Sequence, residues 1–348
     1  MRIVLLATDA YGGHGGIALY NRDLAEALAS QHEVTVVPRI VPHPPEEIPP
    51  GVTFLREAAG GRAAYLTAVA RVAQQRPELV ICGHVNLLPV ACAMSRRPLL
   101  MTFGIEAWKP LGNPLWTWLL HRCRGVVAIS AVTRDRFLAW SRFRGPTHIL
   151  PNAIRLERYG IRPKRPDLIA RYGLQGRRVL LTVGRLAGAE RYKGFDEVID
   201  ILGDLPRNVV YLIGGSGGDI DRLRGRAQEL GVSDRVIFTG GFPEEDKPDL
   251  YNLADVYVMP SRGEGFGFVF LEALACGLPV IGSKHDGGRE ALLGGKLGIL
   301  VDPANPAEIR SAISGLLERG ERRVPAELGY YSFANLVSRV TDLVRQTA

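Results

Sequence analysis

Pro260-Ser-Arg-Gly-Glu264-Gly-Phe-Gly267-Phe-Val-Phe-Leu-Glu272-Ala-Leu-Ala-Cys-Gly277 follows the apolar run Val256–Met259, and its reading decides how the chain folds. Val-Tyr-Val-Met reads as a buried strand, the glycines as a tight loop, and the apolar residues from about Phe266 or Gly267 as a helix. A strand leaving through a glycine loop into a helix is half of a βαβ unit, which commits its sheet to parallel pairing. Amides left open where that helix begins suit a phosphate, and the flanking glycines remove side chains that would block it. Glu272, about five residues into the helix and so ~8 Å along its axis, lies well beyond Glu264. Two carboxylates so spaced can flank one extended ligand, Glu264 accepting from hydroxyls at one end and Glu272 at the other. Nothing else in the region resembles the water-activating site that a hydrolytic carboxylate pair requires.

The same alternation extends in both directions. Towards the C-terminus come strands Val280–Gly282 and Gly298–Val301, and towards the N-terminus Val236–Thr239, Val209–Ile213 and Val179–Val183. Before them, Leu150 to Tyr172 changes character through Pro151-Asn152 and Pro163-Lys-Arg-Pro166, which places a crossing between domains near residue 165. The first half then shows strands Arg2–Ala7, Glu33–Val37, Val52–Leu55, Leu79–Cys82, Leu99–Thr102, Val126–Ile129 and His148–Leu150. Helices Ile17–Ser30, Arg62–Arg76 and Ala131–Trp140 are set among them. The prediction is an α/β protein of two doubly wound Rossmann-like domains, residues 1–165 and 166–330, with an amphipathic terminal helix in 331–348.

Length agrees with two cores, because 348 residues exceed what one usually organises. Hydrophobic residues at 46% and charged residues at 23% exclude a disordered chain. Cys82, Cys92, Cys123 and Cys276 have no metal-ligand spacing and read as reduced core residues. The opening Ile3-Val-Leu-Leu-Ala7 is too short for a signal peptide. Leu79–Met94, interrupted by Gly83, His84, Asn86 and Pro89, cannot supply the ~20 apolar residues of a membrane span. A cytoplasmic address follows as the expectation. Charge is uneven: residues 1–165 hold 21 Lys and Arg against 11 Asp and Glu, and residues 166–348 hold 22 against 25. The basic half calls for an anionic partner. With no helix-turn-helix, finger or RNP-like signature, an acidic lipid surface is preferred over nucleic acid.

Three further loops follow strands. Gly12-Gly-His-Gly-Gly16 precedes a helix but lacks the spacing, and the acid ending the second strand, of a dinucleotide fingerprint. A plain tight turn is its competing reading. Gly184-Arg-Leu, with Glu190-Arg-Tyr-Lys193-Gly194 behind it, puts Arg185 and Lys193 near one loop, where they can clamp a diphosphate or simply be solvated. Gly214-Gly-Ser-Gly-Gly218 shapes another loop at the same sheet edge and can equally be a flexible turn.

Assembled in order, the Gly15-Gly16 loop, Pro151-Asn152, Gly184-Arg-Leu186, Glu190-Arg-Tyr-Lys193-Gly194, Phe238-Thr-Gly240, Glu264-Gly-Phe-Gly267 to Glu272, and Gly287-Gly288-Arg-Glu290 resemble glycosyltransferase family 4 over nearly the whole chain. That resemblance implies the GT-B fold, with the two domains facing across a cleft, acceptor in the first and donor in the second. It implies a retaining, metal-independent hexosyltransferase without a cofactor. Its donor would be a nucleotide sugar, GDP-mannose or UDP-glucose, and its acceptor a glycan or lipid-linked hydroxyl in polysaccharide or cell-envelope synthesis. By the same resemblance Arg185 and Lys193 hold the diphosphate, the amides of Gly265, Phe266 and Gly267 the phosphate and sugar, Glu264 the transferred sugar and Glu272 the ribose. Gly16 meets the ligand from the other domain. A sugar-nucleotide epimerase and a non-catalytic sugar-nucleotide binder are the alternatives, a NAD-dependent dehydrogenase lacking its fingerprint acid.

The chain departs from the family at one point. Relatives often read His-Gly-x-Glu where this chain has Thr102-Phe103-Gly104-Ile-Glu106, so Phe103 stands in the histidine's place. Three readings compete for the acceptor side: Glu106 orients the hydroxyl, His84 fills the space, or the donor phosphate takes the proton. His84 has a competing reading as a satisfied buried histidine. The aromatic and basic stretch Trp108 to Arg124 reads either as a bilayer-interface segment, giving peripheral contact with an anionic inner membrane face, or as a helix packed in the core.

Overall fold

The computed structural model describes residues 1–13, 15–45 and 47–347. Among them the chain forms two compact units, one of Met1–Ala153 with Tyr331 onwards, the other of Ile154–Tyr330.

In the first unit the strands β1 (Arg2–Ala7), β2 (Glu33–Pro38), β3 (Val52–Phe54), β4 (Leu79–Cys82), β5 (Leu99–Thr102), β6 (Gly125–Ala128) and β7 (Thr147–Ile149) form one sheet in the order β3-β2-β1-β4-β5-β6-β7. Every pairing is parallel, and Ile3 stands opposite Val34 on one side and Leu79 on the other. All four residues of β4 are buried, as a strand covered by helices on both faces must be, which explains its unbroken apolar run. One core gathers Leu6, Val80, Leu100 and Val126 from the strands with Tyr65, Val69 and Leu88 from helices. The four cysteines are free and buried.

The second unit repeats the plan. Strands β8 (Arg178–Val183), β9 (Val209–Gly214), β10 (Val236–Phe238), β11 (Val256–Val258), β12 (Val280–Ser283) and β13 (Ile299–Val301) take the order β10-β9-β8-β11-β12-β13, again parallel throughout. Strand order reverses between β8 and β11 here and between β1 and β4 in the first sheet. At such a reversal neighbouring connections leave to opposite faces, and a crevice opens at the strands' carboxyl ends.

One expectation changes, and one element finds its place. The division falls at Ala153/Ile154 and not near 165, because residues 154–165 are bound to the second unit. Asn252 donates to the Gly160 carbonyl at 3.0 Å and accepts the Arg162 N–H at 2.9 Å, while Lys164 pairs with Asp255 at 3.0 Å. The terminal helix, Phe333–Thr347, belongs to the first unit. Its buried stripe of Leu336, Val340, Leu343 and Val344 docks beside the helix Gly16–Ala29, and Gln31 donates to Thr341 at 3.1 Å.

Candidate functional site

The two loops flanking the second unit's switch point, after β8 and after β11, hold the charged groups singled out in the sequence. Lys193 lies at the end of a short 3-10 segment, Gly188–Lys193, and its Nζ stands 3.2 Å from Oε2 of Glu264 and 3.6 Å from Oε2 of Glu190. Burial alone lowers the pKa of this ammonium, but the carboxylates of Glu264 and Glu190 outweigh it and raise the value, so Lys193 stays charged. Arg185 pairs with the other oxygen of Glu190 and keeps its side chain 78% exposed. An exposed guanidinium tethered by one surface contact costs little to redirect, and an anionic ligand can claim it. Glu190, to which the sequence assigns no role, is the counter-charge shared by both cations.

The Glu264 loop is built from within. Asp286, fully buried after β12, accepts the Ser261 hydroxyl at 2.7 Å and the Glu264 N–H at 2.9 Å on one oxygen, and the Gly288 N–H at 3.0 Å on the other. Burial pushes its pKa up to about 6; the Ser261 and Glu264 bonds pull downward, and the Glu264 charge adds to the rise. The Gly287 N–H donates back to the Glu264 carbonyl at 2.9 Å. A Cβ on Gly287 would lie 2.0 Å from the Gly265 carbonyl oxygen, so only glycine lets the two loops meet. Gly267, at φ +92°, ends the loop and precedes the helix Phe268–Ala275, one or two residues later than the sequence indicates. No side chain caps that helix and its first turn has no acid, which leaves the helix dipole uncompensated at its amino end. Phe266 is buried, 1% exposed.

Gly214–Gly218 is no flexible turn. The Gly184 N–H donates to the Gly214 carbonyl at 2.9 Å and the Leu186 N–H to the Ser216 carbonyl at 3.0 Å, so the segment backs the Arg185 loop.

Glu272, expected at the ribose, is placed inside this unit. It is fully buried, with Oε1 accepting from Tyr159 at 2.9 Å and Lys247 at 2.8 Å, and Oε2 from Tyr251 at 2.6 Å. The helix carries it inwards, and with three protein donors on two oxygens it anchors the connecting segment and Lys247 to the core of this unit.

The first unit holds the remaining candidates. Gly16, first residue of its helix, is exposed with open space about it; His14 lies outside the described residues. Phe103 is 6% exposed and packs edge-to-face on Tyr20, ring centroids 5.2 Å apart, so it is a core side chain in the histidine's place. Oε1 of Glu106 accepts the N–H groups of Phe103 at 2.6 Å and Gly104 at 3.0 Å, which fixes the turn after β5. His84 caps the turn after β4, Nδ1 accepting the Asn86 N–H at 3.1 Å. Trp108 to Arg124 is packed in the core on one side only. In the helix Pro114–Leu120, Leu119 and Leu120 are buried, whereas Leu115 and Trp118 are 55% and 57% exposed, with Arg122 over the Trp118 ring.

Paired cations beside a carboxylate and a bare helix start, at the switch point of one of two Rossmann-like units, fit a glycosyltransferase that takes a hexosyl group from a nucleotide sugar. Comparison with known proteins agrees. The family model for glycosyl transferases group 1 matches residues 164–331 and that for glycosyltransferase family 4 matches residues 14–158. The chain belongs to glycosyltransferase family 4. It is 36% identical to a GDP-mannose-dependent alpha-(1-6)-phosphatidylinositol monomannoside mannosyltransferase of Mycolicibacterium smegmatis, over 65% of this chain and 62% of that one. To the protein of the same description from Mycobacterium tuberculosis it is 28% identical, over 93% of this chain and 91% of that one. Among solved structures, Anabaena Alr3699/HepE in complex with UDP and glucose superposes with a TM-score of 0.77 at 22% identity, covering 99% of each chain. Sucrose-phosphate synthase from Thermosynechococcus elongatus gives 0.79 at 23% identity, covering 99% of this chain and 98% of that one. The shared architecture is the GT-B fold. Among the described residues no helix is long and apolar enough to cross a membrane.

Proposed function

We propose that this chain transfers mannose from GDP-mannose to a hydroxyl of a glycan or lipid-linked glycan, keeping the anomeric configuration and using no metal. The observation that carries the reading is the Lys193–Glu264 pair beside exposed Arg185, at the edge where the helix Phe268–Ala275 begins. Lys193 and Arg185 take the charge that grows on the departing diphosphate, the task a cation performs elsewhere. Glu264, fixed by Asp286, accepts from a hydroxyl of the transferred sugar. Mannose and guanosine come from the donor named for the mycobacterial relatives, with UDP-glucose the competitor. A thermal-shift panel of nucleotide sugars tests it. GDP-mannose at 100 times its dissociation constant adds about 2.7 kcal/mol, and a shift with UDP-glucose alone would overturn the donor assignment. Proton NMR of the product reports the anomeric configuration, and turnover unchanged in EDTA supports the metal-free route.

A place at the inner face of the plasma membrane, in envelope or polysaccharide synthesis, belongs to the same reading. Leu115 and Trp118 project from a helix whose other side is buried, and the basic residues of the first half supply attraction to anionic lipid. Wild-type protein should sediment with phosphatidylglycerol vesicles at low salt and Trp118→Glu should not; equal sedimentation of both removes this surface from the proposal.

A further inference from the structure

The carboxyl edge of the first sheet gathers three titratable side chains that donor chemistry leaves unused. Asp9 follows β1, His84 follows β4 and Glu106 follows β5, and these strands are neighbours in the sheet. Burial lowers the His84 pKa, with the charges of Glu106 and Asp9 pulling the other way, so all three lie close enough to act on one another. His84 is 9% exposed.

The cap decides where its proton sits. Nδ1 accepts a backbone N–H, that of Asn86, and an accepting nitrogen carries a lone pair in place of a hydrogen. A neutral imidazole has one N–H, which must then be at Nε2. Nε2 has no hydrogen-bond partner among the described residues and is not among the sealed, unsatisfied atoms. Oε2 of Glu106, whose Oε1 is taken by Phe103 and Gly104, also has no hydrogen-bond partner among them. A donor and an acceptor at the ends of neighbouring strands can serve a hydroxyl, which needs one of each.

We propose that His84 donates a hydrogen bond through Nε2–H to an oxygen of the acceptor sugar and is not the base that removes its proton. The inference rests on the glycosyltransferase reading and adds to it a residue, a tautomer and a direction of donation. A base at this position would need a lone pair on Nε2 and hence a proton on Nδ1, which the Asn86 N–H opposes.

Two substitutions separate the ring's two jobs. In His84→Asn the side-chain oxygen still receives the Asn86 N–H, but nothing reaches the Nε2 position. In His84→Gln the amide N–H reaches that position and has no basicity, while the cap is given up. Transfer kcat/KM should fall about 100-fold in His84→Asn, with unchanged Tm and donor KM, and stay within about tenfold of wild type in His84→Gln. If His84→Gln is as inactive as His84→Ala at a comparable Tm, a base is required and the proposal fails. If His84→Asn transfers as well as wild type, the ring has no role. Imidazole nitrogen NMR, with the His84 signals assigned by their loss in His84→Asn, should show protonated Nε2 and bare Nδ1 at neutral pH; the opposite tautomer overturns the inference. A wild type that transfers no sugar removes the glycosyltransferase reading and the inference with it, whereas a wild type that transfers while His84→Asn matches it removes the inference alone.

Discussion

At the level of single residues, the proposed donor site is a balance of charge. Arg185 and Lys193 are paired with Glu190 and Glu264, and Lys193 is the less exposed of the two cations. Lys193→Ala should lower kcat about 10²–10³-fold while changing KM for the donor much less, because its charge counts most when the diphosphate departs. Steady-state kinetics checks this, and a rise in KM at constant kcat would assign Lys193 to ground-state binding alone. Asp286 ties activity to pH. Its folded pKa of about 6 lies above the ordinary 3.8, so the fold prefers it protonated. The stability it contributes is complete below about pH 4 and disappears as pH rises through 6, about 3 kcal/mol in all. Ionised, it accepts from Ser261, Glu264 and Gly288 together; protonated, it loses acceptor capacity, so transfer should weaken as pH falls through 6. Asp286→Asn should flatten both the stability slope and that acid limb, as urea titrations and rate profiles between pH 4.5 and 8 can show. Lys193, Arg185 and Glu264 are legible in the sequence as candidates because each stands in a patterned loop. Asp286 and Glu190 are not, since an aspartate before Gly-Gly reads as a turn residue and its partner Ser261 is 25 positions away.

Among the elements, the strands were the most legible feature, all thirteen lying within about one residue of the Val, Ile and Leu runs that mark them. Strands buried on both faces leave few polar residues to blur the signal. Connections were harder. Pro163-Lys-Arg-Pro166 looked like the crossing because proline breaks local structure, yet Asn252 and Glu272 bind residues 159–162 from some 90 to 113 positions away, a pairing no local pattern announces. The partners of Glu272 are hidden for a related reason, since helical spacing gives its position along the axis but not what Tyr159, Lys247 and Tyr251 bring to meet it. The loop contact at Gly287 is a testable consequence of packing between elements. In Gly287→Ala the added methyl would sit 2.0 Å from the Gly265 carbonyl oxygen, so the loop after β12 must retreat from the Glu264 loop. Tm should fall by several degrees, corresponding to about 1–3 kcal/mol, and transfer should fall more than the stability loss explains at temperatures where the variant is folded. A variant folded and active like wild type would show that the loops need no direct contact.

For the whole molecule, the order of folding units differs from the order of sequence. The chain builds the first unit, crosses near Ala153, completes the second, and returns with Phe333–Thr347 to finish the first. That helix contributes Leu336, Val340, Leu343 and Val344 to the first unit's core, each no more than 6% exposed. At about 1.5–3 kcal/mol per buried side chain the four amount to roughly 6–12 kcal/mol as an upper bound, comparable with the entire stability of a typical domain. A chain ending at Ser332 should therefore lose the cooperative unfolding of its first unit at room temperature. The second unit, whose sheet and donor loops contain no residue beyond Tyr330, should keep its own. Calorimetry should show one remaining transition, limited proteolysis should leave a fragment near residues 154–330, and GDP-mannose should still raise the remaining Tm while transfer is abolished. Two transitions at wild-type temperatures in the shortened chain would mean that the terminal helix decorates the first unit without completing it.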